Sequence, residues 1–420
     1  MTQAAAFADD PRGHRPPGGR SLFITGLGIG QICSWGSLYY SFPLIAEAMG
    51  TDLGWSKPAL YGAATLGLVL AGLAAYPIGA AIDRGRGRRV MVAGSAAAGL
   101  LLLAWSQVES LVLFYVLAAG VGLLQAATLY EPAFAVVARR TGAERARAGI
   151  TALTLWGGFA STVFIPLIQL AIDGFGWRGA LVFLGVVNLV VCAGVYFAVI
   201  DPTADAPSAE RGPGAAPPLA GGAAVRAVAR RPAFWALALA LTAYAGTFSA
   251  FTFHFYPILV ERGLDTATVV MAMAIIGPSQ VAGRIAIWAF APRASVRLIG
   301  SAVVVAFPVA LVALEVLPPT FALVAFVAAL YGAANGVMTI VRGLAVPEML
   351  TRDAYGAVNG ALTAPSMIAK AAAPLAAAML WQASGSYDAV LVAAIVGSLI
   401  LVAGFWAAAI LSRPNLRPAA

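Results

Sequence analysis

From Ser21 to Leu411 the chain is a series of apolar runs, each about twenty residues long, interrupted by short polar stretches. No other feature constrains the fold as strongly. About 20 mostly apolar residues are what an α-helix needs to cross the hydrocarbon core of a bilayer, and inside lipid every backbone N–H and C=O must be satisfied within the protein. Hydrophobic residues make up 61% of the 420 and charged residues only 10%, which excludes an ordinary soluble globular protein. Twelve spans are expected: Ser21–Ala48, Pro58–Ala81, Val90–Trp105, Leu111–Val137, Gly149–Ile172, Gly179–Ile200, Ala233–Val260, Thr266–Phe290, Val296–Val316, Phe321–Val346, Tyr355–Trp381 and Ala389–Leu411. Between the sixth and seventh, the Pro-, Gly- and Ala-rich stretch TADAPSAERGPGAAPPLAGG reads as a flexible linker.

The net charge of +8 invites a nucleic-acid reading, but the placement of the arginines argues for membrane topology instead. Alternate loops hold Arg84, Arg86, Arg88 and Arg89, then Arg139, Arg140, Arg145 and Arg147, then Arg226, Arg230 and Arg231, and both tails are basic. The intervening loops hold only Lys57, Arg178 and Arg262. Such a bias places the arginine-rich face and both termini in the cytoplasm. The apolar run after the basic tail is too long for a signal-peptide core, so the N-terminus is expected to be retained. Arginine far outnumbers lysine and Ala and Gly abound, as in GC-rich bacterial genomes, so the expected location is a bacterial inner membrane.

The two halves show an internal repeat. GWSKPALYGAATLGLVLAGLAAYPIGAAIDRGRGRR overlies GLDTATVVMAMAIIGPSQVAGRIAIWAFAPRASVR, and GVGLLQAATLYEP from Gly120 overlies GAANGVMTIVRGL from Gly332. Helix four thereby corresponds to helix ten, with Tyr130 opposite Arg342 and Glu131 beside it. Repeats of this kind are the mark of secondary transporters. The fold class expected is an all-α membrane protein with twelve transmembrane helices in two pseudo-symmetric six-helix bundles. These are residues 21–200 and 233–411, with tails over 1–20 and 412–420 and a linker over 201–232.

The loop after helix two carries Gly79, Asp83, Arg84 and then Gly87-Arg88-Arg89. A small residue lets the chain turn close to a neighbouring helix, and an Asp and several Arg at a helix end can pair across a gate or with a helix C-terminus. This pattern resembles the loop signature of the major facilitator superfamily, G-x-x-x-D-R-x-G-R-R. Gly79, Asp83 and Arg84 match directly, and Arg86 stands where the next glycine is expected. With twelve helices and a central linker, the resemblance covers nearly the whole chain. A narrower resemblance is to the monocarboxylate and oxalate/formate porter branch, through Ser34-Trp35-Gly36 and through Tyr130, Phe134, Arg139, Arg140, Gly149, Gly157 and Gly158. The branch carries an Asp and an Arg four residues apart in helix eight; Arg284 looks like the second, and Gln280 stands in place of the first.

Inside the expected spans remain three cations, Arg284, Arg342 and Lys370, and one clear acid, Glu131. A charge near a helix centre costs about 2.5 to 3.5 kcal/mol on insertion scales, so retained ones usually face a cavity or one another. Arg284 follows a Gly277-Pro278 break and lies beside Gly283, which leaves room for a guanidinium to grip a carboxylate bidentately. The alternative is a structural arginine bonded to backbone carbonyls. Arg342 is expected to pair with Glu131 or to gate. Glu131 is either a proton carrier or the static partner of an arginine, and the adjacent Pro132 can free a backbone carbonyl. Lys370 can balance a bound anion, and His254 can sense protons or simply line a wall. Tyr39, Tyr40, Trp156, Asn335 and Gln125 are further cavity candidates.

G26-L-G28-I-G30 imitates a dinucleotide fingerprint but lies in an apolar helix, where it reads as close helix packing. Cys33 and Cys192 suit apolar packing, and no enzyme, metal or cofactor constellation is visible. The expected activity is alternating-access transport of a small organic anion such as a monocarboxylate, with proton coupling, by a monomer with no nucleic-acid partner. Arg284, Lys370, His254, Asn335 and Tyr39 would meet substrate, while Glu131, Arg342, Asp83, Arg84 and Gly79 would couple or gate. Two rivals stay open: an efflux carrier for drugs or a toxic inorganic species, and a membrane sensor or scaffold that binds without transporting.

Overall fold

The computed structural model describes residues 17–141, 143–201, 203, 221–291, 293–351 and 355–412. Residues 1–16 and 413–420 of the expected tails (1–20 and 412–420) and the centre of the linker lie outside them. The described residues are helical almost throughout and contain no strand. In the first half α1 (Pro17–Trp35) passes through a π-turn into α2 (Ser41–Leu53), followed by α3 (Lys57–Ala81), α4 (Gly87–Trp105), α5 (Leu111–Thr128), α6 (Tyr130–Thr141), α7 (Ala143–Gly157), α8 (Ala160–Val186) and α9 (Ala193–Val199). After α10 (Gly221–Ala229), the second half holds α11 (Pro232–Glu261), α12 (Thr266–Phe290), α13 (Val296–Val303), α14 (Ala306–Val316), α15 (Phe321–Ala345), α16 (Tyr355–Ser384) and α17 (Asp388–Leu411).

Among the described residues ten helical stretches are long and apolar enough to cross a membrane. One of them, Ala152–Val199, takes in two expected spans separated at Gly176, whose φ of +67° breaks the helix. The α1–α2 segment, interrupted by its π-turn, supplies the other span, so the architecture accommodates twelve. Helix starts follow local chemistry: Ser56, Ser110, Asp265, Ser295 and Thr320 each accept an N–H from three residues further on.

Prolines inside these helices create a recurring contact. A proline cannot donate to the carbonyl four residues earlier, and that carbonyl must then find another partner in lipid. Pro132 frees the Thr128 carbonyl, which accepts from Gln31 Nε2 at 2.8 Å. Pro257 frees that of Phe253, taken by the Tyr61 hydroxyl at 3.0 Å. Pro278 frees that of Ala274, taken by Thr162 Oγ1 at 2.8 Å, and Pro374 frees that of Lys370, taken by Ser249 Oγ at 2.7 Å. Each proline thus becomes a socket for a side chain from another helix. Two sockets lie within a half, and two, Tyr61 with Phe253 and Thr162 with Ala274, join one half to the other.

Glycines set the remaining close approaches. In the first half α3 meets α5 where a Cβ on Gly122 would lie 2.3 Å from the Gly67 Cα, and in the second α12 meets α15 where a Cβ on Gly336 would lie 2.1 Å from the Gln280 carbonyl oxygen. These are the helix pairs that the internal repeat equates. The GLGIG run behaves as helix packing, since Gly26, Gly28 and Gly30 lie against Val199, Trp156 and Tyr196.

The halves meet where α3 packs on α16, α8 on α12 and α2 on α11. At the end that carries Lys57, Arg178 and Arg262 they close tightly. Tyr61 stacks on His254 at 4.1 Å between centroids, Phe42 and Tyr39 pack on Phe253, and Lys57, paired with Glu47 at 2.7 Å, lies over the Trp381 and Tyr387 rings. At the arginine-rich end no comparable packing joins the described parts of α6 and α7 to α16.

Candidate functional site

Arg284 lies where the two halves meet. It is 8% exposed; its Nη1 donates to the Thr154 carbonyl of α7 at 2.9 Å, and its Nε donates to the Gly336 carbonyl of α15 at 3.2 Å. One guanidinium therefore bridges the first half and the second. Its Nη2 makes no hydrogen bond to any described residue. A Cβ on Gly283 would fall 2.5 Å from the Ala333 carbonyl oxygen, so the missing side chain admits the α15 backbone rather than making room for the guanidinium. That close approach is what brings the Gly336 carbonyl within reach. Tyr40, Tyr130 and Tyr244 lie within Coulombic range of the arginine.

On the closed side of Arg284 a narrow pocket, with free space of about 20 Å³, lies between the halves, walled by Tyr39, Tyr40, Phe248, Phe251, Gln280 and Asn335 among others. The Tyr244 hydroxyl donates to Asn335 Oδ1. Lys370, midway along α16, holds its Nζ 5.7 Å from the Tyr39 ring centroid, and both Glu131 and Arg342 lie within its Coulombic range. Tyr39, Tyr40 and Asn335 line this pocket, Lys370 lies beside Tyr39, and Arg284 lies next to it without lining it.

The expected Glu131–Arg342 ion pair is not made in this conformation. Glu131, just past the break at Leu129, and Arg342, whose guanidinium lies 5.8 Å over the Tyr244 ring, are both exposed. Among the described residues no ion pair joins Glu131 to any cation. Arg342 is instead directed over the Tyr244 ring of α11. His254 is also not brought to Arg284. It is buried at the closed end, Nδ1 3.0 Å from the Tyr387 hydroxyl and Nε2 2.9 Å from the Pro374 carbonyl, so both ring nitrogens are occupied.

In the arginine-rich loop Arg84 is exposed, and the Asp83 side chain lies outside the described residues. Nothing lies within 4 Å of where a Gly79 Cβ would be; the glycines this conformation requires are Gly85, with φ of +79°, and Gly87, against Val136 of α6. Gln125 Nε2 donates to the Leu38 carbonyl at 2.8 Å. Cys192 is buried, its Sγ 3.6 Å from Ser34 Oγ, and Cys33 is half-buried. Two participants gave no sequence signal, because the Thr154 and Gly336 contacts are made by backbone. Tyr331 did offer one: it sits four residues before Asn335, on the same helical face.

The Major Facilitator Superfamily profile matches residues 27–313, and the chain belongs to that family. It is a multi-pass membrane protein. Human monocarboxylate transporter 11 is 30% identical over 292 residues, covering 66% of this chain and 57% of that protein; rat monocarboxylate transporter 13 is 28% identical, covering 41% and 39%. The chain spans between about two fifths and three fifths of the length of these curated relatives. The nucleoside transporter NupG aligns with a TM-score of 0.70 at 13% identity over 94% of this chain and 100% of its own. An inward-facing, unoccupied bacterial homologue of the human lysosomal transporter Spinster aligns at 0.66, with 16% identity over 95% of this chain and 98% of its own. At these identities the likeness concerns the fold.

Proposed function

We propose that this chain is a secondary transporter that moves a small organic anion, a monocarboxylate in the first instance, by alternating access. The observation that carries the reading is Arg284, a buried guanidinium that joins both halves through backbone carbonyls and whose Nη2 is bonded to no described residue. A carboxylate reaching that nitrogen makes charge-assisted hydrogen bonds in a low-dielectric site. It also competes with the Thr154 carbonyl for Nη1, so binding loosens a contact between the halves. Lys370 adds positive charge beside Tyr39. The positive-inside bias sets the arginine-rich end, and both termini, in the cytoplasm, which makes this conformation inward-open. The similarity to monocarboxylate transporters supports the substrate class.

Glu131 completes the proposal as proton carrier. It stands exposed toward the arginine-rich end without an ion pair to a described residue, where water can take its proton, and burial on closure of that end would favour the protonated form. Asp83, Arg84 and Gly79 would then form the closed inner gate. In proteoliposomes, uptake of labelled lactate under an inward proton gradient should fall at least about tenfold in Arg284→Ala, with the melting profile showing a folded protein; undiminished uptake removes the anchoring role. Glu131→Gln should lose gradient-driven accumulation and keep lactate–lactate exchange. Full accumulation in that variant eliminates it as the carrier.

A further inference from the structure

Three hydroxyls in the central pocket have no partner among the described residues. Tyr39, Ser161 and Tyr331 are each at least 98% buried, all three line the pocket, and none of their hydroxyl oxygens makes a hydrogen bond to a described residue. Buried polar groups in folded proteins are almost always paired, so three orphans on the walls of one pocket call for a common cause. Tyr39 and Ser161 come from the first half and Tyr331 from the second. The surfaces between them are rings, with Phe248, Phe251, Phe253 and Phe255 on α11. Along the helices, Tyr331 lies before Gly336, and Ser161 beyond Thr154, by one to two turns. The residues that carry two of these hydroxyls thus neighbour, along the chain, the residues whose carbonyls hold Arg284.

We propose that this pocket is a second subsite for the far end of the substrate, and that the preferred substrate is an aryl monocarboxylate bearing a hydroxyl or other polar group opposite its acid. The proposal rests on the reading that Arg284 anchors a carboxylate. An acid of two or three carbons has no second polar group and no ring to offer this pocket, whereas an aryl acid brings a ring that suits its aromatic walls. A phenolic hydroxyl can donate to one orphan oxygen and accept from another, satisfying groups that an unsubstituted ring leaves unpaired.

The test uses the full chain in detergent and in proteoliposomes, with 4-hydroxyphenylacetate, phenylacetate, lactate and the neutral 4-hydroxyphenylethanol as probes. Binding of 4-hydroxyphenylacetate should be about tenfold tighter than that of phenylacetate, and in a Tyr39→Phe/Tyr331→Phe variant, which keeps both rings, that ratio should collapse to about one. Equal affinity for the two acids, or a ratio that survives in the variant, overturns the subsite. Loss of lactate and phenylacetate binding in Arg284→Ala with no hydroxyl preference in the parent protein leaves the anchoring reading standing and removes only the subsite. Hydroxyl-dependent binding of 4-hydroxyphenylethanol, matched by acids that bind equally well without Arg284, supports the subsite and overturns the anchor.

Discussion

At the end that carries Lys57, Arg178 and Arg262, side chains of one half plug into backbone carbonyls of the other, whereas at the arginine-rich end Glu131 and Arg342 stand exposed and unjoined. The difference teaches where the fold holds its closing contacts in this state. Tyr61 and Thr162 occupy sockets that prolines opened in α11 and α12, and Arg284 adds a third cross-half bond deeper in the seam. The sockets within a half, Gln31 on Thr128 and Ser249 on Lys370, do the same chemistry without touching the seam. Contacts that cross should set which end is open, and contacts that do not should set only stability.

The strongest way to break this contrast is steric. A Cβ on Gly277 would lie 2.4 Å from the Gly158 carbonyl oxygen across the halves, while a Cβ on Gly79 would meet nothing. Overpacking a filled site typically costs about 1 to 3 kcal/mol. Gly277→Leu should therefore wedge the closed seam, seen as faster hydrogen exchange over residues 53–61 and 381–388. Gly79→Leu should leave that exchange and the melting temperature as they are, yet stop uptake by holding the arginine-rich end apart. If both variants behave alike, the two ends do not differ as described.

A smaller effect is expected from the sockets themselves. Tyr61→Phe keeps the ring stack on His254 and removes only the bond to the Phe253 carbonyl, which Pro257 has left without a helical partner. An unsatisfied buried carbonyl costs about 1 to 3 kcal/mol, and here the cost falls on the closed state, so exchange at the closed end should quicken. Gln31→Leu strands the Thr128 carbonyl inside one half and should lower the melting temperature without that local change. Equal responses at the closed end would show that the cross-half socket has no special part in closure.

The sequence made the spans, the repeat and the intramembrane charges legible because lipid leaves the chain few choices: apolar length, loop arginines and stranded charges each have one main explanation there. Pro132 could be read as freeing a carbonyl, but its recipient could not, since Gln31 lies 97 residues away in sequence. The expected Glu131–Arg342 pair is not made in this conformation, and symmetry, which relates helices, says nothing about the conformation in which two helix ends meet. Arg284 showed its charge but not its grip, because both of its acceptors are backbone. His254 was legible as an outer residue of its helix, and only tertiary packing reveals that Tyr387 and Pro374 occupy both nitrogens.

The least disruptive change separates the two ideas, end and seam, that the closed end combines. Asp52 lies beyond the expected limit of the first span and accepts from Trp177 Nε1 at 3.0 Å and from Arg178 Nη1 at 2.8 Å, all within the first half. The Trp177 N–H first, and then the Arg178 guanidinium, hold its carboxyl below the usual carboxylate range. A depressed folded value contributes stability above the unfolded carboxyl pKa of about 3.9 and loses it as pH falls through the folded value. The pair is exposed, so the effect is modest and weakened by salt. Asp52→Asn should lower the melting temperature slightly at pH 6 to 7, the gap to the parent protein should shrink below about pH 4, and exchange over 381–388 should not change. Because the contact sits at the closed end without crossing the seam, altered exchange there would mean that closure depends on the whole end rather than on the bonds between halves.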